Sequence, residues 1–519
     1  MAMVTVAATT SVRMQPERHR PGGHLRLLAA AVMAFSAAAA AAQQVRIDPH
    51  VQTRLTWTDN AAAASRDIGS GWIAEVSPGV SIARDGGRVS GRMDLSLRNL
   101  VDSADSDRNA SYLAMRGRGQ IEAVEDLLFV DVDASISRDN PSLFGGRSRD
   151  DYLSASRSNQ VRSLGIAPRL QLRFGDTAGV LSYQARWLDS ERATNDQRLG
   201  QWSASLGNAT AFGVFGWGVN YQRSDTAYGG SGSPDVTQEV ARATLFINVT
   251  PQFRLRAIGG REENDYAVRR GERGTIVGGG FDWNPSPRTQ VAGSTEKRIF
   301  GRGHDLRINH RRARSAWELG WSRDISSSLQ NLASIYDDPV FRLFYEALAA
   351  SEPDPVERER LTRELLQTLG YGSGGLRDSV VSTSYFVDRR LRAGFSLIGA
   401  RNVLSFSFTR SDRERLGTVS FINALDDFSQ YERVRERSAA VTFNHRLSPN
   451  SSLNVSASRS HASGRGGGDA ETRRTLYSLG LTTSLGPQTS AGLSYRRQIS
   501  RGSSEFTENA LSATFGMRF

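Results

Sequence analysis

The sequence predicts an all-β protein, a transmembrane antiparallel β-barrel of roughly 18–22 strands carrying a short two-helix insertion. Three observations predict it. From residue 45 onward apolar and polar residues alternate with a period of two. Tight reverse turns alternate with longer, charged connections along the chain. The N-terminus reads as an export leader, and no later stretch holds the roughly 18 consecutive apolar residues that a membrane helix requires.

The leader covers residues 1–42. His19, Arg20 and Arg26 form a basic flank, and Leu27–Ala42 is an unbroken run of apolar and small residues. Ala40-Ala41-Ala42 meets the small-residue rule for cleavage before Gln43. The basic stretch is long, and Met14 offers a second start. The barrel is then expected over residues 43–519.

Composition fits that reading. Hydrophobic residues make up 39% of the 519 positions, as in a soluble protein. A barrel tolerates this because only alternate residues of each strand face lipid. There is no cysteine, which suits an oxidising export route and removes a lipidated cysteine, a disulfide framework and any Cys-based metal site. The formal charge is +11, and Lys297 is the lone lysine among many arginines. Guanidinium groups pair well with phosphates and carboxylates, whether on outer-membrane lipopolysaccharide or on an anionic polysaccharide. No nucleic-acid partner and no cofactor is expected.

The last strand shows the alternation best. Leu511, Ala513, Phe515, Met517 and Phe519 fall on one face, and Ser512, Thr514, Gly516 and Arg518 on the other. Before it, Tyr477, Leu479, Leu481 and Leu485 alternate with small polar residues, and Ala491, Leu493, Tyr495 and Ile499 share a face of the returning strand. Tight turns are expected at Asp85-Gly86-Gly87, Gly175-Asp176-Thr177, Gly207-Asn208-Ala209, Thr250-Pro251-Gln252, Asn284-Pro285-Ser286-Pro287, Ser448-Pro449-Asn450 and Gly486-Pro487-Gln488. Longer loops are expected at Asp102–Asn109, Arg138–Ser158, Ser224–Thr237, Ser411–Tyr431 and His461–Thr472. Short turns at the periplasmic end and long loops outside are the habit of outer-membrane barrels. Strands of about ten residues suffice for tilted crossings, and an even count of 22 suits the turn spacing best.

Between Trp321 and Tyr385 the period becomes helical, with the insertion itself assigned to 325–378. Asp338-Pro339 looks like an N-cap followed by proline, with Phe341 and Phe344 on one face. Asp354-Pro355-Val356-Glu357 has capping-box spacing and leads into a stripe of Leu361, Leu365 and Leu369 before Gly370. Strand parity from a periplasmic N-terminus puts this insertion on the periplasmic side or within the lumen. Its apolar stripes make it a candidate gate or partner-binding element, or a brace for the lumen.

Candidate chemistry is sparse. Asp105, Asp107 and Asn109 occupy the first liganding positions of a calcium loop, but Ala110 replaces its glycine and Arg116 its bidentate glutamate, so no metal site is expected. His304 and His310 stand six residues apart on one strand, which does not make a metal pair. Ser407 and His445 could meet across neighbouring strands, yet no nucleophile-elbow pattern supports a hydrolase. Arg254 with Arg256, and Arg390 with Arg392, share a face. If that face is the lumen, a basic wall would favour anionic permeants. The alternative is a ladder in which arginines pair with Asp282, Glu296 or Glu318.

Several segments then resemble a known family. Thr56-Trp57-Thr58-Asp59-Asn60 follows the first strand, and Glu75-Val76-Ser77-Pro78-Gly79-Val80 leads into the Asp85-Gly86-Gly87-Arg88 turn. The helical insertion with Asp-Pro starts sits late, and Phe515-Gly516-Met517-Arg518-Phe519 closes the chain. Together these resemble the PEP-CTERM system-associated outer-membrane protein family, found alongside exopolysaccharide and protein-sorting gene clusters. The resemblance implies an outer-membrane barrel; the expected role is a pore or docking component for envelope export, with a periplasmic export component or an anionic polysaccharide as partner. A structural or adhesive barrel is the alternative, and a barrel hydrolase a more remote one. The terminal stripe ending on Phe519 resembles the signal read by the barrel-assembly machinery. No room is left ahead of the first strand for a plug domain.

Overall fold

The computed structural model describes residues 45–519 except 62–68, 85, 107–108, 140–141, 146–158, 191–195, 229–234, 266–271 and 417–426. Of 328–384 it describes Tyr345 and Thr362. The leader and the insertion residues Phe341, Phe344, Leu361, Leu365 and Leu369 lie outside the described residues. No described helix is long and apolar enough to cross a membrane, which says nothing of strands.

Among the described residues, the first eleven strands are β1 (Val45–Thr58), β2 (Gly71–Arg84), β3 (Val89–Asp102), β4 (Ala110–Val124), β5 (Leu128–Asp139), β6 (Asn159–Phe174), β7 (Thr177–Ser190), β8 (Gln197–Phe212), β9 (Phe215–Tyr228), β10 (Val236–Thr250) and β11 (Phe253–Asn264). The rest are β12 (Glu272–Ser286), β13 (Thr289–Arg298), β14 (Gly301–Arg312), β15 (Ser315–Ser327), β16 (Tyr385–Ile398), β17 (Asn402–Arg415), β18 (Arg433–Ser448), β19 (Ser451–Arg465), β20 (Ala470–Gly486), β21 (Thr489–Gly502) and β22 (Phe506–Arg518). A single-turn helix, α1 (Asp427–Gln430), lies between β17 and β18. Each strand pairs antiparallel with the next, and β1 pairs with β22, so the 22-stranded sheet closes on itself. Closure leaves no strand edge unpaired, the condition for a sheet to span lipid.

The alternation read from the sequence sets which side chains face out. On β22, Leu511, Phe515 and Met517 are exposed, while Glu508 and Ala510 on the inward face are buried. Leu55, Val76, Leu97, Leu245, Val277, Trp317, Phe406, Val441, Leu479 and Leu493 continue that outward apolar band around the ring. Inward positions carry polar and small residues, with buried apolar clusters such as Ile73, Leu100 and Tyr112 and Val161, Leu188 and Leu199 toward the long-connection end. An apolar exterior over a polar interior inverts the globular pattern and is what lipid demands. The protein is an outer-membrane β-barrel.

Strands run from 10 residues in β13 to 17 in β20, at or above the roughly 9–11 residues a membrane crossing needs. The excess carries several strands beyond the lipid. The expected turn at Gly207-Asn208-Ala209 is instead a bulge inside β8, where the β8–β9 register slips between Asn208 and Phe212. The reversal falls at Gly213-Val214. Opposite the bulge, a Cβ on Gly216 would lie 2.1 Å from the Ala209 carbonyl oxygen, so only glycine allows that approach. The expected loop at His461–Thr472 shrinks to 466–469, because β19 and β20 extend through most of it.

The described residues show where the insertion is rooted. Residues 325–327 belong to β15, and Ser327 pairs with Tyr385 of β16. Every connection leaving an odd-numbered strand, including 103–109, 140–158 and 416–432, opens at that same end. The start of β1, the end of β22 and the tight turns occupy the other. The roots of the insertion therefore stand at the long-connection end of the barrel.

Candidate functional site

At the long-loop end the β5–β6 connection crosses the mouth of the barrel. Leu143 and Phe144 pack against Phe386, Val434, Ala462 and Ala470, which are inward residues of β16 and β18–β20. β5 and β16 lie on opposite walls of the ring, so this segment is a strap over the lumen. Phe144 meets Tyr431 edge to face at 5.1 Å between ring centroids. Polar contacts lock it further. Arg474 donates to the carbonyl oxygens of Leu143 (3.0 Å) and Gly145 (2.8 Å).

The strap has a local cause. The Ser142 hydroxyl oxygen accepts the backbone N–H groups of Phe144 and Gly145, each at 3.1 Å, folding a tight turn without help from a strand. That hydroxyl in turn donates to Asp427 Oδ1 (2.8 Å), and the Leu143 N–H donates to Asp427 Oδ2 (2.5 Å). Asp427 opens α1 and is 3% exposed. Burial pushes its carboxyl above the ordinary carboxylate range, against the opposing pull of the Leu143 N–H, the Ser142 hydroxyl and Arg474. A second link crosses the mouth elsewhere: the Tyr385 hydroxyl of β16 donates to Thr226 Oγ1 of β9 at 2.8 Å.

Below the mouth, the lumen is lined by matched charges. Arg98 meets Glu75 at 2.6 Å, Arg186 grips Asp133 through two contacts of 2.7 and 2.9 Å, and Arg242 meets Glu296 at 3.1 Å. Arg298 reaches Glu262 at 2.6 Å, and Arg390 and Arg413 flank Asp388. Arg256 pairs with Asp282 at 3.3 Å. Arg254, Arg256, Arg390 and Arg392 all face the lumen; Arg256 and Arg390 meet the acids Asp282 and Asp388, as in the ladder reading, whereas Arg254 donates to Asn248 Oδ1 at 2.8 Å. Rows of paired hydroxyls, such as Ser396 with Ser405 and Ser456 with Ser478, fill the intervals.

The closing seam involves the first of the family-like segments. Thr56 to Thr58 lie within β1 rather than after it, and Thr56 pairs with Ser512 through their hydroxyls at 2.9 Å. Asp59 accepts both the backbone N–H (2.7 Å) and the side-chain amide (2.6 Å) of Asn509. Glu508 is fully buried and takes Arg496 at 2.6 Å. The terminal stripe stands as read, with Leu511, Ala513, Phe515, Met517 and Phe519 all outward, and the Phe519 N–H donates to the Pro49 carbonyl oxygen at 2.9 Å.

Other candidates are not brought together. Ser407 faces inward and is buried, whereas His445 faces outward against Asn402, so no serine–histidine pair forms. His304 and His310 both face outward. His304 lies against Trp321 and His310 meets Thr289. Among the described residues no group of three His, Cys, Asp or Glu could hold a metal; Asp107 of the calcium-like loop lies outside them. Nothing in the sequence marks the strap. Leu143 and Asp427, whose groups meet, are 284 residues apart in two polar loops, and no periodicity links such loops.

No family model matches the chain, and no curated protein sequence matches it. Solved structures do. The siderophore receptor PirA of Acinetobacter baumannii aligns over 92% of this chain and 81% of its own, at 10% identity and a TM-score of 0.49. The ferric enterobactin receptor PfeA of Pseudomonas aeruginosa, as a point mutant in complex with enterobactin, aligns over 92% and 82%, at 9% identity and a TM-score of 0.48. The outer membrane protein OpdK of Pseudomonas aeruginosa aligns over 91% and 99%, at 8% identity and a TM-score of 0.34.

Proposed function

We propose that the chain is an outer-membrane pore with a detachable strap at its external mouth. It would serve the envelope export that its resemblance to the PEP-CTERM system-associated family implies, with exopolysaccharide or another polar surface component as permeant. The strap carries the reading. Its described residues, 142–145, are held by one carboxylate, one guanidinium and a few apolar contacts, over a lumen of hydroxyls and ion pairs. Such a wall offers a polyhydroxylated permeant many weak hydrogen-bonding sites. The 328–384 connection, rooted beside the strap on β16, is the candidate gate, and its stripes of Phe341, Phe344, Leu361, Leu365 and Leu369 would carry its contacts.

Planar-bilayer recording of the refolded protein tests the pore. A conducting state that enlarges when Leu143 and Phe144 are both changed to Ser supports it, and silence from both proteins refutes it. Surface polysaccharide in a strain lacking the chain tests the export assignment separately: unchanged polysaccharide beside a working pore removes the permeant and leaves the channel.

A further inference from the structure

The outer face of the barrel is electrically lopsided at the long-loop end. On the wall from β6 to β12, outward Arg162 stands opposite Asp189 and outward Arg273 opposite Glu263, and no described strand pair there sets arginine against arginine on the outward face. On the wall from β15 to β21 arginine faces arginine. Arg323 stands opposite Arg389, and Arg410 opposite Arg437. Arg433 opposes Arg465, and Arg473 opposes Arg501. Directly opposed like charges on neighbouring strands destabilise a sheet, so a pair that no acid of the sheet reaches calls for an anion from outside it.

The sheet's own acids do not supply enough. Glu414 is taken by Arg389 at 3.6 Å, Asp412 by Arg433 at 2.6 Å and Arg435 at 3.4 Å, and Glu471 by Arg473 at 2.5 Å and His461 at 2.9 Å, which leaves the Arg410–Arg437 pair without an acid among the described residues. Arg410, Arg437 and Arg459 make no ion pair among the described residues and are exposed. They sit on three adjacent strands, with Arg459 one step diagonal from Arg437, so their guanidinium groups fall within one headgroup's width. Immediately toward the membrane on the same strands and the same face lie Phe408, Phe406, Val441 and Val455, the latter three exposed at 39–43%. A ligand seated here has its anionic part at the arginines and its apolar part against that band.

We infer that the outward face of β17–β19 binds the phosphates of an outer-leaflet glycolipid, lipopolysaccharide, through Arg410, Arg437 and Arg459. Soluble phosphate would satisfy the arginines but not the apolar rows beneath them. Planar, bidentate guanidinium groups suit phosphate oxygens better than ammonium groups do.

The test uses the full chain in detergent micelles doped with bisphosphorylated lipid A. Each basic residue facing an anionic surface contributes about fivefold in affinity (~1 kcal/mol), so the triple variant R410A/R437A/R459A is expected to bind about a hundredfold more weakly. Lysine at the three positions retains most of the binding, and heat-modifiability reports that every variant is folded. Equal binding of lipid A with and without its phosphates overturns the inference, as does full binding by the folded alanine variant. Displacement by inorganic phosphate at the lipid's own concentration overturns the choice of a lipid ligand.

Discussion

Asp427 is the single residue on which the strap hangs most directly. Changing it to Ala removes the acceptor for both the Ser142 hydroxyl and the Leu143 N–H, and leaves that N–H buried without a partner. Hydrogen bonds to a charged group contribute about 1.5–3 kcal/mol each. Taking the lower figure for both, because the mouth stands near water, gives about 3 kcal/mol, a shift of roughly 150-fold between seated and released strap. The apolar cluster of Leu143 and Phe144 remains, so the strap should flicker rather than vanish. Single-channel recording reads this as longer open dwell times and a larger mean conductance for Asp427→Ala. Heat-modifiability verifies that the barrel is intact. A folded Asp427→Ala protein with wild-type dwell times and conductance would refute the strap as the determinant of opening.

Other outcomes follow from the same geometry. Burial raises the Asp427 carboxyl's pKa in the seated state, so the neutral form is favoured there. Seating is then strongest below the ordinary carboxylate range and weakens as pH rises through the raised value. Open probability should climb over that interval, and Asp427→Asn should flatten the climb. At the seam, Arg496→Ala strands the fully buried Glu508 and should cost about 3–5 kcal/mol in urea unfolding, with the double change to Arg496→Ala and Glu508→Ala recovering part of it. Removing Phe519 should lower insertion by the assembly machinery; normal amounts of heat-modifiable protein in the outer membrane would count against that role. Deleting 328–378 should raise conductance if the segment gates the mouth, and unchanged conductance with unchanged surface polysaccharide would end its candidacy.

Much of the barrel is legible in the sequence because lipid imposes a period of two that no loop can blur. Leu511, Phe515 and Met517 show the outward face without any coordinates, and once that face is known Arg518, Glu508 and Arg496 must point inward. The strand number follows from turn chemistry, as at Thr250-Pro251-Gln252 and Ser448-Pro449-Asn450. The errors share one cause. Glycine and asparagine serve bulges as well as turns, so Gly207-Asn208-Ala209 reads as a reversal while being a register slip in β8. The true reversal at Gly213-Val214 has one glycine at a positive φ of 69°, a weaker signal than the one beside it. The strap is beyond reach for a different reason. Its partners meet through tertiary placement across a ring, and neither Ser142 nor Asp427 differs in type from dozens of other loop residues.

Where the arginines stand says more than how many there are. A formal charge of +11 could line a channel for anions, yet the inward arginines meet acids at Glu75, Asp133, Glu262, Asp282, Glu296, Asp388 and Glu508. Buried charges are tolerated only when paired, so a lumen of this kind needs acids in proportion to its arginines. The outward upper rows of β15–β21 obey no such rule, since their charges stand at an interface where external anions can neutralise them. Positive charge therefore stands on the outer rim, where Arg410 and Arg437 face each other. Selectivity for an anionic permeant and attraction to an anionic membrane surface are separable in this chain. Substitutions at Arg256 or Arg390 should alter what the lumen conducts, whereas substitutions at Arg410 or Arg437 should alter the lipid around it and leave ion selectivity where it was. A reversal-potential measurement under a salt gradient separates the two sets, and a selectivity change from the rim variants would show that the faces are coupled.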